Sequence, residues 1–167
     1  MALPFLQDLY EATHEVVHLV VMDEGKALYI ERLMSRPEVQ VQSRVARRLP
    51  LHAAGSGKVL LAYSPPELVE QVIAAGLPKQ ASRTITDSNV LRRELAGIRT
   101  TGYGVSRDEM TDGASSVAAP VRGADGEVIA AISVVLPSGS RDLQALVPAV
   151  SLAAAGISRG MRPFMMP

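Results

Sequence analysis

The chain has 167 residues, with 17 Lys or Arg against 17 Asp or Glu, so its formal net charge is zero. A domain that binds nucleic acid by itself usually carries a basic excess that neutralises phosphates, so this composition argues against direct DNA binding. The absence of cysteine excludes disulfides, thiolate metal sites and a cysteine nucleophile, the three histidines are too scattered for a metal site, and no apolar run reaches transmembrane length.

The first part of the chain predicts a helix followed by strands. Apolar residues recur at helical spacing over residues 3–13. Two β-branched runs, 16–22 and 27–33, flank a short Asp-Glu-Gly segment and predict a hairpin. Residues 39–45 alternate strictly between apolar and polar side chains and predict a third strand, which carries Val41 on its apolar face.

A glycine-containing turn then leads into an apolar helix predicted over residues 53–62. Gly55 and Gly57 allow close approach of the backbone, and Ser56 places a hydroxyl between them. The unpaired N–H groups at the start of a helix can bind a small anion or carboxylate. Tight packing of the helix on a sheet would also explain the two glycines, and we favour packing as the simpler interpretation.

The same turn resembles the end of a phosphate-binding loop through Gly57 and Lys58. That motif requires a glycine five residues before its second glycine, and Ser or Thr after the lysine. The chain has His52 and Val59 at these positions. We therefore exclude nucleotide hydrolysis.

Two helices follow the turn. Residues 64–67 (Ser-Pro-Pro-Glu) predict a capping box with an N-cap serine, and Gly76 ends that helix. Asp87 or Thr86 caps a second helix, whose apolar residues share one face and which closes at Gly102. Strands and a last helix therefore remain for the C-terminal part of the chain.

The C-terminal part predicts three strands, over 103–106, 115–122 and 128–136, and a final helix capped by Ser138 or Ser140. The run 128–136 is apolar except for one serine, so we expect it in the middle of a sheet that is covered on both faces. The order of elements is helix, three strands, three helices, three strands, helix. It indicates an α+β domain in which helices pack on one sheet.

These segments resemble the effector-binding domain of IclR-type bacterial transcriptional regulators. The resemblance extends from about residue 3 to about residue 161, and six segments carry it in the same order: Val-His-Leu at 17–19, Arg-Arg-Leu-Pro-Leu-His-Ala at 47–53, Gly-Lys-Val-Leu-Leu-Ala at 57–62, Gly-Tyr-Gly-Val-Ser at 102–106, Ser-Val-Ala-Ala-Pro-Val at 116–121 and Asp-Gly-Glu-Val-Ile-Ala-Ala-Ile-Ser-Val at 125–134. It implies a GAF/PAS-like α+β fold with a six-stranded antiparallel sheet and helices on both faces.

The resemblance also implies how the domain is used. Residues 1–167 would be a single effector-binding domain, and the family's N-terminal winged helix-turn-helix, which binds DNA, would lie outside this chain. Family members form homodimers and often homotetramers, and their effectors are small organic or aromatic acids. We therefore expect a cytoplasmic regulator that needs no cofactor, contacts no membrane and reaches DNA only through the missing domain.

The family's pocket positions can be carried over one at a time. They comprise backbone donors for a carboxylate at Gly55 and Ser56, polar positions at Ser106, Ser116 and Ser133, and an apolar wall at Val41, Leu49 and Ala114. Some members carry an aspartate at the position of Ser106 and a serine at that of Val135, so the ligand of a relative cannot be transferred directly. A serine in an apolar strand needs a hydrogen-bond partner, which a ligand, a water or nearby backbone would supply.

Two other functions remain open from the sequence. The domain could be an oligomerisation module whose pocket has lost its ligand. It could also be an enzyme that uses Asp108, Glu109 and Asp112, although we expect these three acids to form a solvated loop without catalytic function. We therefore predict a ligand sensor and not an enzyme.

Overall fold

The structure is a computed structural model that describes residues 2–34 and 47–161. Its elements in chain order are α1 (Leu3–Thr13), β1 (Val16–Asp23), β2 (Lys26–Leu33), β3 (Arg48–Leu49), α2 (Gly55–Ala62), α3 (Pro66–Ala75), α4 (Ser88–Thr101), β4 (Gly104–Arg107), β5 (Ala114–Arg122), β6 (Val128–Pro137) and α5 (Leu143–Met161). The strand predicted over 39–45, and Val41 with it, lies outside the described residues.

The strands form one antiparallel sheet in the order β3-β2-β1-β6-β5-β4. This arrangement confirms the predicted α+β fold with its six-stranded antiparallel sheet. The strand β6 lies between β1 and β5 and is buried along most of its length, as its apolar sequence predicted.

Helices cover both faces of the sheet, because side chains of successive strand residues point to opposite faces. On one face, α1 and α5 pack against a core that includes Val117, Ile132 and Val134. On the other face, α2 packs against Ala118 and Ala131, and α4 packs on α2. All eight residues of α2 are buried, so this short helix lies between the sheet and α4.

The helix starts agree only partly with the sequence predictions. The cap of α4 is confirmed, since Asp87 Oδ1 accepts hydrogen bonds from two N–H groups of the first turn. The capping box at 64–67 is wrong: Pro65 is extended because it precedes another proline, so α3 begins at Pro66. The hydroxyl of Ser64 instead donates to Leu60 O at the end of α2.

The predicted cap of α5 is also wrong. Neither Ser138 nor Ser140 caps the helix; Asp142, the residue before it, accepts a 3.0 Å hydrogen bond from Gln144 N–H. Aspartate is one of the strongest N-cap residues, and it lies closer to the first apolar residue of the helix than either serine. Within residues 2–34 and 47–161, no helix is long and apolar enough to cross a membrane.

Candidate functional site

The backbone at the start of α2 lies so close to neighbouring residues that a side chain at either glycine would collide with them. A Cβ at Gly57 would lie 2.7 Å from Leu51 O and 2.9 Å from Leu51 Cα, so no other residue fits on this backbone. A Cβ at Gly55 would lie 2.5 Å from the hydroxyl oxygen of Ser116 on β5. Packing on the sheet is therefore confirmed for Gly55, whereas Gly57 packs on the turn that precedes α2.

The N–H groups at this helix start also have the arrangement that an anion seat requires. The N–H of Lys58 donates to Ala54 O and closes the first turn. The N–H groups of Gly55, Ser56 and Gly57 come before that bond and have no acceptor within the helix. Binding of a carboxylate to them stays a prediction.

Three strands present one row of side chains beneath this helix start. Ser106 on β4 pairs with Ser116 on β5, which pairs in turn with Val135 on β6. The hydroxyl of Ser106 donates to Ala53 O at 3.1 Å, so it ties β4 to the turn before α2. The backbone therefore already satisfies Ser106, one of the possibilities that the sequence left open.

A small cavity lies between this row, the start of α2 and the loop that joins β4 to β5. It encloses about 30 Å³, room for roughly one water molecule. The described residues that line it include no charged side chain; they are Tyr29, Leu49, Ala54, Ser106, Met110, Thr111, Ala114, Ser115, Ser116 and Val135. The structure thus brings together four residues of the predicted pocket, namely Leu49, Ser106, Ala114 and Ser116.

Other predicted residues lie next to the cavity but do not line it. Gly55 packs against Ser116, and Ser56 reaches the cavity through a shared hydrogen bond with Tyr29. Ser133 is buried one row further along the sheet, where it pairs with His18 and Ala118. In that row α2 covers the sheet, so Ser133 faces packed helix and not the cavity.

The lining also contains residues that were not predicted as pocket positions, among them Tyr29 and Thr111. The phenol oxygen of Tyr29 lies 3.4 Å from Ser56 Oγ, and burial raises the pKa of Tyr29, so its hydroxyl stays protonated. The hydroxyl of Thr111 is buried and has no hydrogen-bond partner among the described residues. No sequence pattern pointed to either residue, because Tyr29 lies in a β-branched strand and Thr111 in a loop of acidic residues.

The ring of His18 packs against Tyr29, one of the residues that line the cavity. Its ring stacks edge-on against Tyr29 with the ring centroids 4.8 Å apart. Burial, followed by the charge of Arg32, lowers the pKa of His18 to about 3, so the imidazole is neutral at physiological pH. No group of three or more His, Asp or Glu side chains that could hold a metal occurs in the described part of the chain.

The acidic loop is not uniformly solvated as predicted. Glu109 is buried, and its Oε1 accepts a 2.7 Å hydrogen bond from the ammonium group of Lys58, which has no exposed surface. Asp108 Oδ1 accepts hydrogen bonds from Gly113 N–H and from the Ser138 hydroxyl. The solvated-loop prediction is therefore wrong for Glu109, because a buried lysine requires a nearby carboxylate.

Asp112 is fully exposed and bonds the β4–β5 loop to another loop of the chain. Its Oδ1 accepts a 2.9 Å hydrogen bond from Ser82 N–H. Hydrogen bonds from Ser82 lower the pKa of the Asp112 carboxyl, so this group is ionised at neutral pH. The three acids of the loop thus accept hydrogen bonds from backbone, from the Ser138 hydroxyl or from Lys58, and none of these contacts pairs one carboxyl group with another.

The fold and this site can be compared with known proteins. A family model described as bacterial transcriptional regulator IclR C-terminal matches residues 1–159. The chain belongs to the IclR family of bacterial transcriptional regulators. The resemblance found in the sequence is confirmed, and since the matched relatives are named as regulators of transcription, the expectation that this IclR-family chain is not an enzyme is confirmed too.

Individual relatives agree with the family. KdgR of Escherichia coli is 34% identical over 160 residues, which are 93% of this chain and 61% of that protein. KdgR of Dickeya chrysanthemi is 34% identical over 134 residues, 80% of this chain and 44% of that protein. The chain therefore spans about half the length of the curated relatives that it matches.

Solved structures of IclR proteins superpose closely on this domain. An IclR homolog from Microbacterium hydrocarbonoxydans, complexed with 4-hydroxybenzoate, gives a TM-score of 0.93 at 36% identity over 97% of this chain and 67% of that one. The C-terminal domain of Escherichia coli KdgR gives a TM-score of 0.84 at 32% identity and covers 96% of both chains. The second match has the same extent as this chain.

Proposed function

We propose that this IclR-family domain senses a small carboxylic acid, which binds where the cavity now lies. The observation that carries the proposal is the lining of the cavity. Its described residues supply hydroxyl groups and apolar side chains without a charged residue, and they include Ala54, directly before the first N–H groups of α2. Ligand sites in proteins typically combine such an apolar wall with a few polar groups. The 4-hydroxybenzoate complex of the Microbacterium homolog supports an aromatic acid as the class of ligand.

The proposed binding mode follows from the charges. Because none of the described lining residues is cationic, the carboxylate would be held by the N–H groups of Gly55 and Ser56 at the positive end of the helix dipole. The free hydroxyl of Thr111 and the oxygen of Ser116 would then bind further polar atoms of the acid. A ligand site usually encloses about 300 Å³ or more, so the cavity must open around the ligand.

We extend the proposal to the whole regulator by the same family reasoning. Residues 1–167 form the effector domain, and a ligand that binds one subunit arrangement better than another would shift the population towards it. The domain would act as a homodimer or homotetramer in the cytoplasm, and DNA would be bound by another part of the protein. Ligand binding would thereby change DNA binding without a direct contact.

A thermal-shift measurement tests the proposal. We expect 4-hydroxybenzoate, or another acid of a small carboxylate panel, to raise the Tm of the domain in a concentration-dependent way. Ser116→Ala and Gly55→Val should each remove that rise, whereas Ser140→Ala, an exposed serine outside the cavity, should keep it. A rise that survives both cavity variants would exclude this site.

An oligomerisation module without a ligand is the second candidate function. The observation in its favour is the cavity volume of about 30 Å³, which admits no organic acid without rearrangement. Sedimentation of the domain with and without the carboxylate panel separates the two functions. A stable oligomer that no acid stabilises or rearranges would favour the module.

A further inference from the structure

The ammonium group of Lys58 joins three separate segments to α2. It donates to Glu109 Oε1 at 2.7 Å, to Val105 O at 2.7 Å and to Glu94 Oε1 at 3.0 Å. A lysine has three N–H donors, so each of them is used. The charge has no exposed surface and therefore depends entirely on these acceptors.

One end of this cluster belongs to the cavity wall. Glu109 directly precedes Met110 and Thr111, which line the cavity from the loop between β4 and β5. Ala54 lines it from the start of α2, one residue before the helix that carries Lys58. A ligand that widens the cavity by separating these two walls must therefore lengthen the contact between Lys58 and Glu109.

The other end of the cluster faces a different space. Glu94 and Val105 line a groove of about 410 Å³ between α4 and β4, the last strand of the sheet. None of the described residues lines both this groove and the cavity. The side chain of Glu94 is 38% exposed, whereas that of Glu109 is 12% exposed. The ammonium group thus contacts both the loop that lines the cavity and the wall of the outer groove.

We propose that Lys58 couples the opening of the cavity to the α4–β4 groove. A buried cation that loses one acceptor is destabilised, so a displaced Glu109 leaves Lys58 dependent on Glu94 and Val105 O, or moves Lys58 and with it these two acceptors. The opening of the cavity and the shape of the groove then belong to one conformational equilibrium. A change at either place shifts the equilibrium at the other by the same factor. Lys58 is a positioning residue in this scheme, and the scheme rests on the proposed function in so far as the cavity is the ligand site.

The coupling can be tested without a ligand. Glu94→Gln, at the groove, should weaken the hold on Lys58 and change the amide hydrogen exchange of Gly113 and Ala114, whose N–H groups are bonded within the β4–β5 loop. We expect the exchange rates of these amides to change by about threefold or more, as for partial loss of a half-exposed ion pair. The matched control is Glu70→Gln, which breaks an ion pair between α3 and α4 that does not touch the loop.

The outcomes separate this inference from the proposed function. A change at Gly113 and Ala114 in Glu94→Gln, but not in Glu70→Gln and not in the amides of α5, supports the coupling, even if 4-hydroxybenzoate does not bind. Equal or absent changes in the two variants overturn it, even if the acid binds. Where the acid binds, Glu94→Gln should also alter its affinity, and an unchanged affinity would overturn the coupling as well.

Discussion

The contact between Gly55 and Ser116 predicts a strong dependence of one residue on the other. In Gly55→Ala the new Cβ would lie 2.5 Å from Ser116 Oγ, while its next neighbours, both atoms of Ser106, lie at an ordinary 3.7 Å. Overpacking of this kind costs about 1 to 3 kcal/mol, and the better helix propensity of alanine returns at most about 1 kcal/mol. We expect Gly55→Ala to lower the free energy of unfolding by about 1 to 2 kcal/mol.

Removal of the serine hydroxyl should reverse this effect. In the Ser116→Ala background the nearest atoms to the new Cβ are those at 3.7 Å, so only the gain in propensity remains. The double-mutant cycle should therefore give a favourable coupling of about 1 to 3 kcal/mol. Urea unfolding of the four proteins, with equal slopes against denaturant, measures it.

Gly57→Ala is the matched control for this cycle. Its Cβ would meet the backbone of Leu51 at 2.7 Å and 2.9 Å, and backbone cannot rotate away as a serine side chain can. We expect a loss of about 3 kcal/mol or more, which Ser116→Ala does not relieve. A coupling between Gly55 and Ser116 below about 0.5 kcal/mol, the usual limit for independent sites, would refute the close packing of α2 on β5.

Three further predictions use urea unfolding as well. Thr111→Val should stabilise the ligand-free domain by about 1 kcal/mol, because it removes a buried hydroxyl that has no partner among the described residues. Thr84→Val should instead lower the free energy of unfolding by about 1 to 3 kcal/mol, because that hydroxyl donates to Glu109 O. A change of the same sign in both variants would contradict the hydrogen-bond assignment. Burial holds the pKa of His18 at about 3, so the unfolded chain binds a proton between pH 6.5 and 3 that the folded chain does not. Stability should therefore fall by about 2 kcal/mol more in the wild type than in His18→Gln between pH 7 and pH 5, and parallel pH profiles would contradict this. Lys58→Met should lower the free energy of unfolding by about 3 kcal/mol or more, and Arg92→Met, in an exposed ion pair, by less than about 1 kcal/mol. Equal losses in the two variants would show that Lys58 is not buried with its acceptors.

Hydrophobic patterning was sufficient to predict the framework of the domain. The order of the helices and of β1, β2, β4, β5 and β6, the central position of β6 and the apolar stripe of α4 follow from periodicity and burial, whereas β3 was not predicted. Patterning failed where a local competitor decided the boundary: the Pro-Pro pair delayed the start of α3, and Asp142 replaced two serines as the cap of α5. In both cases a stronger local preference of the backbone overrides the pattern.

The site was harder to predict because its residues meet through the sheet. Ser106, Ser116 and Val135 become neighbours only through strand pairing, and no spacing in one segment shows that pairing. The family resemblance supplied these positions, but it did not point to Tyr29 or Thr111. The structure adds them because they line the same cavity.

The buried Lys58 is the residue that the sequence could have revealed. The residues that follow it, Val59 to Ala62, are all apolar, and a helix that is apolar on every side is buried. A lysine in such a helix must have carboxylate or carbonyl partners elsewhere in the chain. Its partners lie 36, 47 and 51 residues away, so their identity required the fold.

The helix α2 therefore combines three properties that constrain one another. Gly55 sets its distance to β5, its first N–H groups have no acceptor within the helix, and its lysine connects the β4–β5 loop to α4. A cavity of about 30 Å³ can grow towards ligand size only if one of its walls moves. The contact of Gly57 with the Leu51 backbone holds α2 in place, whereas the loop is held by hydrogen bonds and one ion pair. For this reason the loop, and with it the Lys58–Glu109 contact, is the wall that we expect to yield to a ligand.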